Sequence, residues 1–137
     1  MVISQNLSAF NGVPPAVGEE RKITGGPVYE LAKIQALTEQ PDTVNIWTEK
    51  CRRDAANLTL DTTDLGEMIR ELTNNDYRDS EWCDNGKGFW AACDAYKLVR
   101  SEFIEAAGKS FRMEYFLKFA ESKTGKLVLM VSCHTSN

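Results

Sequence analysis

The sequence predicts an α+β fold with three N-terminal helices packed on a four-stranded antiparallel sheet. Three observations carry this. Apolar residues recur at helical spacing between Val28 and Leu72. From Asp76 onward, runs able to form strands replace that pattern. Glycine-bearing turns at Asn85-Gly86 and Thr124-Gly125 then fold those runs back on themselves. Helices followed by a meander of strands give an α+β layer arrangement rather than an alternating α/β one.

Residues 1–27 carry Pro14-Pro15, Gly25-Gly26 and Pro27 with little periodicity, and read as an extended or flexible N-terminal arm. Residues 28–137 read as a single α+β domain, large enough for a real core. The first helix places Val28, Leu31, Ile34 and Leu37 on one face and ends by Pro41. A short apolar piece, Val44-Asn45-Ile46-Trp47, leads to Thr48, an N-cap for a second helix over Glu49–Asn57 with Cys51 and Ala55 inward. Asp61, with Asp64 three residues on, caps a third helix whose apolar stripe is Leu65, Met68, Ile69 and Leu72.

The first predicted strand covers Asp76–Cys83 and the second Phe89–Val99, joined by Asp84-Asn85-Gly86-Lys87-Gly88. Ser101–Ser110 reads as a looser connection, Phe111–Glu121 as the third strand and Leu127–His134 as the fourth. Alternation puts Trp90, Ala92, Asp94 and Tyr96 on one face and Ala91, Cys93 and Ala95 on the other. Leu117, Phe119, Leu129, Val131 and Cys133 form the expected core face, which leaves Glu114, Lys118, Ser132 and His134 on the open one.

Composition is ordinary for a globular protein, 42% hydrophobic and 26% charged, and no apolar run approaches the ~20 residues of a membrane span. The first residues lack a basic segment followed by an apolar one, so a cytoplasmic location is expected, with no membrane partner. A net charge of -4 argues against an autonomous nucleic-acid binder, although a local basic patch remains open. Cys51, Cys83, Cys93 and Cys133 contain no Cys-x-x-Cys pair and read as buried free thiols.

His134 is the one histidine, and histidine titrates near neutral pH, which suits general acid or base work. Beside it, Lys118 or Arg78 would supply a cation for a phosphate; the alternative is a solvated histidine near the chain end. A Cys93–His134 nucleophilic pair is compatible with strand parity. Cys83, Cys93, Cys133 and His134 have the inventory of a zinc site, but adjacent Cys133 and His134 point to opposite faces, so no metal and no cofactor are expected. Asp79, Glu81, Asp84 and Glu114 read either as a carboxylate pair or as a solvated edge. Trp82, Trp90 and Tyr96 read either as base-stacking platforms or as core. Asp94, if buried, requires a hydrogen-bond donor from a helix N-terminus or a tyrosine hydroxyl.

Five pieces in order, Asp76-Tyr77-Arg78-Asp79-Ser80, Trp90, Asp94-Ala95-Tyr96, Phe116-Leu117-Lys118 and Val131-Ser132, resemble the MqsR family of toxins. The similarity runs from about Val28 to the end. It implies a RelE-like fold and a cytoplasmic, metal-independent ribonuclease acting on mRNA and neutralised by an antitoxin protein. The family's strand-one lysine falls on Asp79, its glutamine on Cys93, its strand-three tyrosine on Phe116 and its terminal lysine on His134. A rebuilt site would draw on His134, Lys118, Arg78, Tyr115 and Cys93. The alternative function is a non-catalytic acidic binding or inhibitor protein, whose face from Asp76 to Asp84 meets a basic partner.

Overall fold

A computed structural model describes residues 5–135. Three helices form at the predicted places, α1 over Leu31–Thr38, α2 over Glu49–Asn57 and α3 over Thr62–Glu71. Val28, predicted on the first, lies ahead of α1, and Leu72, predicted on the third, is the residue after α3. Thr48 caps α2, its hydroxyl accepting from the Cys51 amide at 3.1 Å. Asp61 and Asp64 cap each other's amides at 2.8 and 2.9 Å, a reciprocal box that satisfies two otherwise orphaned donors.

Gly66 lies inside α3, where a methyl group would meet Arg70, Thr38 and Val44 at 3.4 to 3.7 Å, ordinary contact distances. Glycine costs a helix interior about 1 kcal/mol relative to alanine. Gly66→Ala is therefore expected to raise unfolding free energy by roughly 0.5–1 kcal/mol, measured by urea denaturation.

The four-stranded sheet is corrected to a mixed, mostly antiparallel sheet of seven strands. In chain order these are β1 (Gln5–Asn6), β2 (Lys22–Ile23), β3 (Val44–Ile46), β4 (Tyr77–Asp84), β5 (Phe89–Ile104), β6 (Lys109–Glu121) and β7 (Val128–Thr135). The hydrogen-bonded order is β2-β4-β5-β6-β7-β3, with β1 parallel to the start of β5. The three unforeseen strands are two or three residues long, too short for period-two alternation to register. Two of them come from the N-terminal arm, which thereby joins the sheet. The predicted loose connection Ser101–Ser110 is likewise ladder: β5 and β6 pair out to Ile104↔Lys109, leaving only a tight turn through Gly108.

The turn after β4 also differs from a two-residue Asn-Gly hairpin. Asn85 keeps a negative φ, while Gly86 and Gly88 take the positive values. The Asn85 side chain instead accepts from the Lys87 and Phe89 amides at 2.9 and 3.3 Å, closing a longer loop.

The core lies between the helices and one face of the sheet. Ile34, Cys51, Leu65, Met68 and Ile69 from the helices meet Tyr96, Leu117, Phe119, Met130 and Cys133 from the strands. Tyr96 stacks on Phe119 with centroids 5.4 Å apart. Asp94 is fully buried on this face and accepts from the Val28 amide (2.9 Å), the Tyr29 amide (3.0 Å) and the Ser80 hydroxyl (2.6 Å). Its donors are thus loop amides just ahead of α1 and a serine, in place of the expected helix end or tyrosine. This carboxylate pins the end of the N-terminal arm to the sheet across more than sixty residues of chain.

Candidate functional site

Two β-bulges shape the open face. Between the pairs Tyr77↔Tyr96 and Asp79↔Ala95, Arg78 is an extra residue. Between Lys118↔Ser132 and Phe119↔Met130, Val131 is another. A bulge breaks strict alternation and re-aims the side chains around it. Arg78, which regular alternation would send with Ser80 toward the core, instead lines a cleft beside Asp79. Leu129, predicted on the core-face row, pairs instead with Ala120 on the other face, and Met130 takes the place opposite Phe119. Val131 stays buried in the core and also borders a second depression.

The first cleft has a volume of about 280 Å³. Ala95 supplies one small lining residue; Arg78, Asp79 and Glu81 of β4 line it together with Phe116 and Lys118 of β6 and Ser132 and His134 of β7. The second depression, about 270 Å³, shares Glu81, Lys118 and Ser132 and adds Arg21, Lys50 and Cys83. Together they carry Arg21, Lys50, Arg78, Lys118 and His134 against Asp79, Glu81 and Asp84.

The charges are largely paired. Lys118 is bound to Glu81, Lys22 to Asp79, and Arg21 approaches Asp84 at 3.6 Å. Burial works against the Lys118 charge, but the hydrogen bond to Glu81 and the Cys83 sulfur more than offset it, so its pKa sits above the ordinary lysine value. Lys118 is therefore an ammonium throughout the neutral range. Cys83 is lowered by its hydrogen bond with the Cys93 thiol and by the nearby Lys118 charge, against the opposing effect of burial. Cys93 moves the other way, raised mainly by its own burial.

His134 is exposed and stacks on Phe116, centroids 5.5 Å apart and planes 27° from parallel. Its Nδ1 lies 3.0 Å from the Thr135 carbonyl oxygen. A carbonyl only accepts, so Nδ1 carries the hydrogen and Nε2 remains for proton exchange.

Of the five residues singled out for chemistry, the structure brings three together: Arg78, Lys118 and His134. Tyr115 is on the core face, buried, with its hydroxyl 3.3 Å from Glu102. Cys93 shares the open face but has no exposed surface. The Cys93–His134 pair does not form. His134 is opposite Phe116, and Phe116 is four residues along β6 from Ala120, near the Cys93 level; the separation along the strand is about 13 Å. Trp82 is core, edge-on to Phe10 at 5.7 Å, and Tyr96 is core as well. Trp90 is half-buried under the Arg21 guanidinium, 4.8 Å from the ring centroid.

Glu81 is the residue whose role the strand pattern understated. It read as one of several acidic edge groups; its partner is fixed only by the register that sets Ala95 between Asp79 and Lys118. Comparison with protein-family models, with curated proteins and with solved structures finds no match. Among the described residues no helix is long and apolar enough to cross a membrane.

Proposed function

We propose that this chain is a cytoplasmic, metal-independent endoribonuclease of the toxin type its strand motifs resemble, acting on mRNA and restrained by an antitoxin protein. The observation that supports this reading is the convergence of Arg78, Lys118 and His134 on one cleft of the open sheet face. RNA cleavage through its own 2′-hydroxyl requires a proton acceptor and cations for the phosphate as it becomes five-coordinate. His134 Nε2 takes the 2′-hydroxyl proton as that oxygen bonds to phosphorus. The bond from phosphorus to the 5′-oxygen breaks and the leaving oxygen takes a proton from solvent water, giving a 2′,3′-cyclic phosphate and a 5′-hydroxyl. Arg78 and Lys118 hold the phosphate, Arg78 with a planar fork suited to two of its oxygens. Phe116, beside the histidine, offers a face on which a base stacks.

The acidic-binder reading is less well supported. Asp79, Glu81 and Asp84 are each engaged by a cation of the same chain, and Asp76 accepts from the Thr73 amide at 2.8 Å. Little of that stretch is left as a free acidic face for a basic partner.

The test is cleavage of a mixed-sequence RNA by the purified protein in the presence of a chelator, beside Lys118→Ala and His134→Ala. Cleavage that both substitutions suppress supports the nuclease. Folded protein that leaves RNA intact over a wide concentration range turns the assignment to the binding protein.

Glu81 tempers the site, because a phosphate competes with it for Lys118. Glu81→Gln removes that competitor and one negative charge. RNA affinity is expected to tighten about fivefold at low salt, with the gain shrinking as salt rises. Fluorescence anisotropy of a labelled oligoribonucleotide across a salt series checks this.

A further inference from the structure

Among the described residues, β4 pairs with β5 as far as Tyr77↔Tyr96 and β7 pairs with β6 as far as Tyr115↔Thr135. Beyond those points β5 and β6 continue as a two-stranded ribbon to the turn at Glu105–Gly108. Among the described residues no strand pairs with the outer edge of β5 past Tyr96. The ribbon also holds the exposed large apolar side chains of the sheet: Phe103 at 62%, Val99 at 45%, Ile104 at 41% and Phe111 at 39%. A free, apolar sheet edge is a template for another strand.

The edge sequence Leu98-Val99-Arg100-Ser101-Glu102-Phe103-Ile104 is complementary to itself when reversed about Ser101. Placed antiparallel to a second copy on a two-fold axis through Ser101, Arg100 faces the second copy's Glu102, and the reverse. Val99 then faces Phe103, and Leu98 faces Ile104. Every opposed pair has the same parity, so each lies on one face of the joined sheet, as antiparallel pairing requires. Arg100 and Glu102 already share a face within the chain, 3.2 Å apart, and Arg100 also meets Glu71 at 3.2 Å, so pairing two copies gathers two arginines and four carboxylates. Aliphatic–aromatic and opposite-charge pairs across strands are the stabilising kind.

We propose that two copies of this chain associate through the β5 edge, Leu98–Ile104, into one continuous antiparallel sheet. Val99, Phe103 and Ile104, bare on the edge strand, then meet Phe103, Val99 and Leu98 of the second copy. This inference is independent of the nuclease assignment, since it is read as mass rather than cleavage.

Sedimentation velocity of the full chain tests it. An edge of this length is a small interface, so loading concentrations run from about 1 µM to about 500 µM. The expected result is a concentration-dependent shift from 15.4 kDa to twice that mass. Arg100→Glu and Glu102→Arg each put like charges across the axis twice, and each is expected to weaken association roughly tenfold or more. Mixing the two variants restores opposite charges at both positions and is expected to recover the dimer. Phe103→Ser, at an exposed position, keeps the fold and is expected to weaken the dimer as well. Wild-type protein that stays monomeric at all concentrations overturns the proposal and leaves the edge to a strand of another protein. A dimer indifferent to all three substitutions also overturns it, placing the contact elsewhere.

Discussion

Asp94→Ala is expected to lower the unfolding free energy by about 3–5 kcal/mol, since it strands several buried donors at once. The Val28 and Tyr29 amides and the Ser80 hydroxyl all donate to this carboxylate, and Ser80 in turn contacts the Tyr77 hydroxyl at 2.7 Å. Losing it also releases the junction between the N-terminal arm and α1. Burial, opposed by those three hydrogen bonds, holds the Asp94 pKa above the ordinary 3.8. A carboxyl with a raised folded pKa takes its proton more readily in the folded state than in the unfolded one. Its contribution to stability is complete below about 3.8 and is lost as pH rises through the folded value. Asp94→Asn, which does not titrate, therefore supplies the reference. The stability of the wild type relative to Asp94→Asn is expected to fall with rising pH across that window and to level off above it. Urea unfolding of both proteins between about pH 3 and pH 7 measures the difference.

On the proposed nuclease reading, RNA cleavage by His134→Ala is expected to be about 10²–10⁴-fold slower than wild type, the usual worth of a positioned general base. The side chain is exposed and its ring rests on Phe116, so its removal leaves the core untouched. Lys118→Ala is expected to cost about 10²–10³-fold, as removal of a charge-stabilising donor does. Glu81 is not orphaned by that change, because Lys22 remains 3.9 Å away. The two variants separate in kind. Loss of the base lowers kcat with KM near the wild-type value, whereas loss of the ammonium also weakens the salt dependence of binding. Equal, small effects from both would sink the assigned roles.

The helices were legible because each has a strong local signal. The Thr48 cap, the Asp61–Asp64 box and the Leu65, Met68, Ile69 stripe are contained in a few consecutive residues. The four long strands were legible for the same reason, through alternation and glycine turns. The extra strands were not. Gln5–Asn6, Lys22–Ile23 and Val44–Ile46 are held by ladder bonds to β5, β4 and β7, so their extended state is a property of the neighbour rather than of their own composition. The candidate site divides in the same way. Lys118, Ser132 and His134 on the open face follow from parity alone. Arg78 joins them only through the first bulge, and Leu129 moves off the core row, with Met130 in its place, only through the second.

The α+β class, the three helices with caps at Thr48 and Asp61 on the second and third, and the polar groups riding on the open face thus follow from local sequence. The seven-stranded sheet, the burial of Cys93 and Tyr115, and the partners of Glu81 and Asp94 come from the packing of the whole chain. The physical reason is range. Helical periodicity, capping and alternation act over a few residues of one segment. Register, bulges and ion pairs are set by which strand lies alongside, and that choice is made by the packing of the whole chain.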